Sequence, residues 1–275
     1  MEYDLFDPSQ IELLLSSHGL KPAKRFGQNF IMDPEAVGAI IASAQITKKD
    51  TVLEIGPGLG TLTGALCKTA KNVLAIEKDP NMVGILRKTC AKFKNLQIIH
   101  ADALKFDWAT IKSPYKIASN LPYNVASHLI RQILESSNRP QLMALMVQKE
   151  VGERIVAQAP DANILGLSVQ IYANASLELI VPSTAFYPEP KVDSAIVRIE
   201  PKNDAPSAQK TADIFRLIKI GFSSPRKKLS NNLSTGLNRP KNEIEALMAK
   251  ENIDLLSRPE NLSLHDWEVL IKHLG

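Results

Sequence analysis

Four places in the 275-residue chain combine residue types that can hold a nucleoside and present an amine for reaction. The run Val52-Leu53-Glu54-Ile55-Gly56-Pro57-Gly58-Leu59-Gly60-Thr61 reads as an apolar strand, a glycine turn and the start of a helix. Glycines let a backbone turn sharply and approach a ligand closely, and the helix that follows presents free N–H groups. Glu77 closes the next β-like run, 21 residues after Gly56, where an acidic side chain in a doubly wound fold accepts hydrogen bonds from a ribose diol. Asp102, within His100-Ala101-Asp102-Ala103, closes a third such run and can accept from an adenine amino group. Singly these are ordinary turn, surface or capping residues; in succession they describe an adenosine pocket. A dinucleotide site spaces its glycines as G-x-G-x-x-G to seat a pyrophosphate. Here the pattern is G-x-G-x-G led by Glu54, without an obvious hydride-transfer constellation, which favours S-adenosylmethionine over a nicotinamide cofactor.

The fourth place is Ser119-Asn120-Leu121-Pro122-Tyr123, at the end of another β-like run. On its own it reads equally as a polar turn with a proline stop. In doubly wound folds, however, ligands gather at the carboxyl ends of the strands. An adenine amine is a poor nucleophile because its lone pair is delocalised into the ring. The carboxamide oxygen of Asn120 and the carbonyl oxygen of Leu121 form an acceptor pair that can hold both N–H bonds and favour a more pyramidal nitrogen, so the site would contribute positioning and electrostatics rather than a base. Tyr123 offers a face for a base taken out of its stack.

Elements that would position these groups follow from the hydrophobic pattern. Residues 1–20 carry Ile11, Leu14 and Leu15 at helical spacing, with a break at Lys21-Pro22 and a loop beyond. Strands are expected at 52–55, 73–76, 96–99, 115–118 and 142–147, with helices near 61–70, 80–93, 125–136 and 149–157, an alternation that argues for a doubly wound, mostly parallel α/β sheet. Two more β-like runs, 177–181 and 195–200, flank a proline-rich stretch and suggest an antiparallel edge hairpin. After Pro201 a polar connection (202–210) leads to helical patterns at 211–223, 226–235, 241–250 and 263–274, expected as a small all-helical domain. The division is therefore 1–201 for the α/β part, with 1–33 as helix and capping segment, and 210–275 for the helical part.

Composition narrows the function classes. With 44% hydrophobic and 23% charged residues the chain is an ordinary folded protein. No run approaches the roughly 18 apolar residues of a membrane span, and Glu2, Asp4 and Asp7 are unlike the basic start of a signal peptide, so a cytoplasmic location is expected. Cys67 and Cys90 cannot form a disulfide framework, and the five histidines show no zinc spacing, so no metal is expected. The net charge of +4 conceals a regional excess. From Ile214 to Lys241 seven basic residues and no acid give +7, leaving −3 for the remainder. Such a run is either a solvated face or a nucleic-acid contact.

Taken together, Phe26-Gly-Gln-Asn-Phe30, Glu54-Ile-Gly-Pro-Gly-Leu-Gly60, Asn120-Leu-Pro-Tyr123 and Phe186-Tyr-Pro-Glu-Pro-Lys-Val-Asp-Ser-Ala195 resemble the ribosomal RNA adenine dimethyltransferase family, small-subunit type, from about Lys21 to Leu274. The resemblance implies a Rossmann-like class I S-adenosylmethionine-dependent methyltransferase domain with a small C-terminal helical domain. It implies that Gln28, Asn29 and Ile31 line the methionine end of the cofactor. Glu54, Gly56, Gly58 and Gly60 would form its loop, Glu77 would bind the ribose, and Asp102 with Ala103 the adenine. Asn120 and Leu121 would hold the amine between Tyr123 and Phe186 as stacking faces; Phe186 reads equally as a core aromatic. The implied reaction places two methyl groups on each of two adjacent adenosines in a hairpin loop near the 3′ end of 16S rRNA, in an immature 30S subunit, by a monomer. Lys24, Arg25, Arg226, Lys227 and Lys228 would contact the RNA. One departure stands out: Ser224-Pro225 replaces a typical Gln-Arg, removing one guanidinium, with Pro225 suited to a first helical turn. A large-subunit methyltransferase of the macrolide-resistance type and a non-catalytic assembly factor are the alternatives.

Overall fold

The dipeptide Asp-Pro starts three helices by one mechanism. In α1 (Pro8–Ser17), α2 (Pro34–Ser43) and α4 (Pro80–Thr89) the aspartate before the helix accepts the backbone N–H two residues on, at 2.8, 2.9 and 3.0 Å. The proline occupies the first helical position, where its missing N–H costs nothing. The computed structural model describes residues 3–22, 28–112, 114–203, 206 and 208–274. The segment Ala23–Gly27 lies outside the described residues, and with it the expected contacts of Lys24 and Arg25.

The chain packs as two compact units, Met1–Glu153 with Ala175–Pro201, and Arg154–Asn174 with Lys202–Gly275. The first is built on a seven-stranded sheet, five parallel strands with two more at one edge. Its parallel core comprises β2 (Thr51–Ile55), β3 (Asn72–Glu77), β4 (Leu96–His100), β5 (Lys116–Asn120) and β6 (Met143–Gln148). β9 (Ser194–Pro201) runs antiparallel to β6 and carries β7 (Ala173–Val181) at the edge, so the two late β-like runs are neighbours. Strand order reverses between β2 and β5, since β3 and β4 lie to one side and β6 to the other. α3 (Thr61–Thr69), α5 (Ala126–Glu135) and α6 (Lys149–Val156) are the helices that follow β2, β5 and β6. One buried cluster joins α2 and α3 to the sheet through Val37, Ile40, Leu62, Leu66, Val73 and Met146. A second joins α1 to the glycine loop and α4 through Ile11, Leu14, Leu59, Met82 and Ile85.

Sequence periodicity did not anticipate the helix α7 (Ile164–Gln170), nor three further pieces. α2 is one; its start is an Asp-Pro pair. The others are β1 (Phe30–Ile31) and β8 (Phe186–Tyr187), which pair antiparallel with Phe30 opposite Tyr187 and Ile31 opposite Phe186. Strands of two residues have no period to detect, yet this pair joins the Gln28–Phe30 segment to the Phe186 motif.

In the second unit, α8 (Ala208–Gly221), α9 (Leu229–Leu237), α10 (Lys241–Lys250) and α11 (Leu264–Leu274) pack around Trp267, whose ring stacks on Phe222 with centroids 6.1 Å apart. The helix expected from 226 begins at Leu229. Pro225 is therefore in a turn and not in a first helical turn, and Arg226, Lys227 and Lys228 are exposed before the helix. The reason is Asn232, whose Nδ2 donates to the Gly221 and Ser224 carbonyls and ties down the turn.

Between β2 and β5 the register runs through Val52–Lys116 and Leu53–Ile117. Beyond it the fully buried Ser119 hydroxyl donates to the Ile55 carbonyl at 2.5 Å and accepts the Ile55 N–H at 3.2 Å. Ser119→Ala removes both bonds from a buried strand end and is expected to lower stability by about 1–3 kcal/mol. Urea unfolding with an unchanged denaturant slope would measure it.

Candidate active site

The reversal between β2 and β5 opens the crevice in which the sequence motifs meet. After β2 the loop runs through Gly58, in the left-handed region at φ +56°, where an added Cβ would come within 3.1 Å of the Phe30 ring. Its N–H donates to Glu77 Oε2 at 3.2 Å, while the Asp79 N–H donates to Glu77 Oε1 at 2.8 Å. Both carboxyl oxygens at the end of β3 are thus held by backbone. Asp79, which caps α4, also accepts from Gln28 Nε2 at 3.1 Å through its second oxygen. On the opposite wall Asn120 Nδ2 donates to the Asn29 carbonyl at 3.3 Å. That bond fixes the amide, and its Oδ1 is buried with no hydrogen-bond partner.

Gln28, Asn29, Ile31, Glu54, Gly56, Gly58, Glu77, Asn120, Leu121 and Tyr123 together line a cavity of about 80 Å³. A second cavity of about 190 Å³ shares Gly56, Glu77 and Pro122 with it and adds Lys78, Asp102 and Ala103. The structure therefore gathers most of the expected residues into two adjoining compartments. Gly60 is a different case. It begins α3 at φ +98° with no room for a side chain, a Cβ coming within 2.8 Å of Cys90 Sγ, and it lines neither cavity. Its contribution is to let α4 approach the loop. Phe186 does not line the cavities either: its ring is 2% exposed and packs in the core beside Ile31. As placed here it supports the Ile31 wall and offers no stacking face. Tyr123 is held from behind, its hydroxyl 2.7 Å from the hydroxyl of Ser194, itself fully buried on β9. Asp79, Ser119 and Ser194 were not singled out from sequence. Asp79-Pro80 carries the capping signature that could have found the first; nothing local marks the two serines.

The electrostatics select among ligands. Glu54 and Glu77 line the smaller cavity, and among the described residues no lysine, arginine or histidine does. Burial pushes the Glu54 carboxyl up to about 8, helped by the nearby Glu77 charge, and its Oε2 has no hydrogen-bond partner. Burial also raises Glu77, against the lowering effect of its backbone N–H bonds. Asp102 is held below the usual carboxylate range, chiefly by its bond to Lys78 Nζ at 2.9 Å. A pyrophosphate would enter this cavity as an anion among carboxyls. A ligand carrying a sulfonium and an ammonium instead supplies the positive charge that the two acids lack. The residues present thus fit S-adenosylmethionine and not a dinucleotide.

The ribosomal RNA adenine dimethylase family matches residues 19–274. The chain belongs to this family. Among its relatives is the ribosomal RNA small subunit methyltransferase A of Dehalococcoides mccartyi (strain ATCC BAA-2266 / KCTC 15142 / 195), 40% identical over 95% of this chain and 91% of that protein. That of Listeria monocytogenes serotype 4a (strain HCC23) is 35% identical over 100% and 98%. Among solved structures, a dimethyladenosine transferase from Plasmodium falciparum superposes with a TM-score of 0.73 at 27% identity, covering 88% of this chain and 96% of that one. The 23S rRNA methyltransferase ErmE gives a TM-score of 0.74 at 22% identity over 90% and 99%, a likeness of fold. The dimethylase uses S-adenosylmethionine and methylates adenine in ribosomal RNA.

Glu54 yields a pH test of the dimethylase. Its folded value is raised from 4.5 to about 8, so the folded state binds the extra proton across that window. Its contribution to stability is complete below the unfolded value and is lost as pH rises to the folded one. The melting temperature of the cofactor-free wild type should therefore decline from pH 5 towards about pH 8, relative to Glu54→Gln, which has no proton to lose. Parallel profiles for the two proteins would contradict it.

Proposed function

We propose that the chain dimethylates the 6-amino groups of two adjacent adenosines in a hairpin loop near the 3′ end of 16S rRNA, within an immature 30S subunit, as a cytoplasmic monomer. The names of the relatives that align over nearly their whole length support the small-subunit target. Among the described residues no helix is long and apolar enough to cross a membrane, in keeping with that setting. The observation that carries the catalytic reading is Asn120 Oδ1, an acceptor buried without a partner at the end of β5.

In this reading Gln28, Asn29 and Ile31 with Glu54, Gly56 and Gly58 enclose the methionine end of the cofactor. Glu77 accepts from the ribose hydroxyls, and Asp102 beside Ala103 receives the adenine. When bound, S-adenosylmethionine supplies a methyl group activated on a sulfonium. The protein's part is positional. Asn120 Oδ1 and the Leu121 carbonyl accept the two N–H bonds of the target amine and direct its lone pair, and Tyr123 stacks the extruded base. An unpaired loop base costs little to extrude. The methylated nitrogen is acidic enough to pass its proton to water, so no side chain is needed as a base. The exposed turn Arg226-Lys227-Lys228 and the helical part from 210 to 275 contact RNA phosphates.

Incubation of unmethylated 30S and 50S subunits with methyl-labelled S-adenosylmethionine, followed by mapping of modified adenines, tests the target. Dimethyladenosine confined to two adjacent positions of 16S rRNA is expected; label in 23S rRNA, or binding with no label, would overturn the reading. Asn120→Ala should retain cofactor affinity yet lose about a hundredfold or more in turnover, as when an oriented polar group at a reacting centre is removed. Unchanged turnover would refute the role of the amide.

A further inference from the structure

The backbone on either side of Tyr123 is pinned. The Leu121 N–H donates to the Met146 carbonyl at 3.0 Å, and the Val125 N–H donates to the Pro122 carbonyl at 3.2 Å. What is left to the tyrosine is rotation about the two bonds that lead to its ring. Its far end is tied as well: the phenol and Ser194 hydroxyls are 2.7 Å apart, so one donates to the other. Ser194 is fully buried, and its mount is rigid. It stands opposite Gln148 of β6, the carbonyl of Asp193 before it accepts the Lys149 N–H at 2.9 Å, and Asp193 Oδ1 accepts the Ser183 N–H at 3.1 Å. Burial pushes the phenol up, against the lowering effect of the Ser194 bond, so the ring keeps a neutral hydroxyl. The tyrosine lines the active-site cavity and the serine does not.

We propose that Ser194 is a positioning residue for the target base, acting through Tyr123, and that its bond is required chiefly for the second of the two methyl transfers to each amine. This role rests on the reading of Tyr123 as the face on which the target adenine stacks. Each transfer forms an N–C bond from the amine lone pair while the C–S bond of the methyl donor breaks, its electron pair staying on sulfur, and one N–H proton passes to water. Before the first transfer the amine has two N–H bonds, which Asn120 Oδ1 and the Leu121 carbonyl can both hold. Before the second it has one, so one acceptor contact is gone and a methyl group stands where an N–H was. The stacked ring then supplies more of the alignment. Misplacement of a reacting group by about 1 Å costs up to about a hundredfold in rate. A ring tied at its outer oxygen cannot rock that far without breaking the bond to Ser194.

The test follows adenosine, monomethyladenosine and dimethyladenosine by nucleoside chromatography of 16S rRNA, with the full chain in excess over unmethylated 30S subunits and S-adenosylmethionine present. Ser194→Ala and Tyr123→Phe break the same bond from its two ends. Each is expected to slow the second transfer by roughly tenfold, the upper range for one neutral hydrogen bond, and the first by roughly twofold. Monomethyladenosine then accumulates where the wild type converts it. The double variant should be no slower than the slower single one, because the bond is already gone, and S-adenosylhomocysteine affinity should match the wild type in all three. If Ser194 serves only the packing of β9, its loss slows both transfers equally and adds to Tyr123→Phe in the double variant; that result would overturn the proposal, as would wild-type product ratios in both single variants. Should Ser194→Ala fail to fold, Tyr123→Phe decides alone, since it leaves β9 untouched, and a wild-type ratio there overturns the role. Tyr123→Ala separates this role from stacking itself. Slow transfer in Tyr123→Ala beside normal ratios in the two milder variants removes only the part given to Ser194, whereas wild-type rates in Tyr123→Ala remove the stacking face.

Discussion

The Ser119 hydroxyl decides where the active site can be. Parallel strands normally continue their ladder to the ends, and a ladder carried to Gly56 and Asn120 would close the space between them. Here the strand pairs stop at Leu53–Ile117, and Ser119 serves the Ile55 N–H and carbonyl with one side-chain oxygen. The polar groups at the end of β2 thus stay satisfied where a side chain replaces the ladder. The replacement falls between β2 and β5, where the strand order reverses and helices leave in opposite directions. Everything that defines the crevice follows from it: the glycine loop on one lip, Asn120 and Pro122 on the other, and the carboxylate of Glu77 at the next strand end.

Within that crevice the side chains are held by few bonds, mostly to backbone. Glu77 takes two N–H groups, Asn120 gives its amide N–H to Asn29, and Tyr123 leans on Ser194. Two acceptors of the crevice's lining residues remain buried without a partner: Glu54 Oε2 and Asn120 Oδ1. A buried acceptor without a donor is costly in a finished core, but the two orphans here are of the kinds that a cationic amino acid and an adenine amine would satisfy. The raised Glu54 carboxyl has the same origin, since a protonated acid is the state that tolerates burial until positive charge arrives.

The strands, their order of appearance and the four motifs were legible because each is local: an apolar run, a glycine turn, an acid at a strand end. Two-residue β1 and β8 were not, because their pairing is a tertiary fact with no periodic signature. The roles of Ser119 and Ser194 were hidden for a similar reason: a serine's partner 64 or 71 residues away leaves no trace in its neighbourhood. Phe186 and Gly60 show the opposite limit. Both sit in motifs that mark the site, yet one ring packs the core and the other residue admits a helix, so motif membership locates a wall without saying which of its residues face inward. At Pro225 propensity misled outright, because Asn232 captures the carbonyls of Gly221 and Ser224 and delays the helix to Leu229.

An enzyme that takes a cationic cofactor and a polyanionic substrate has opposite electrostatic requirements, and the chain meets them by segregation. Among the described residues the smaller active-site cavity is lined by two carboxyls and no lysine, arginine or histidine, whereas the Ile214–Lys241 stretch holds seven basic residues and no acid. A uniform +4 would serve neither ligand.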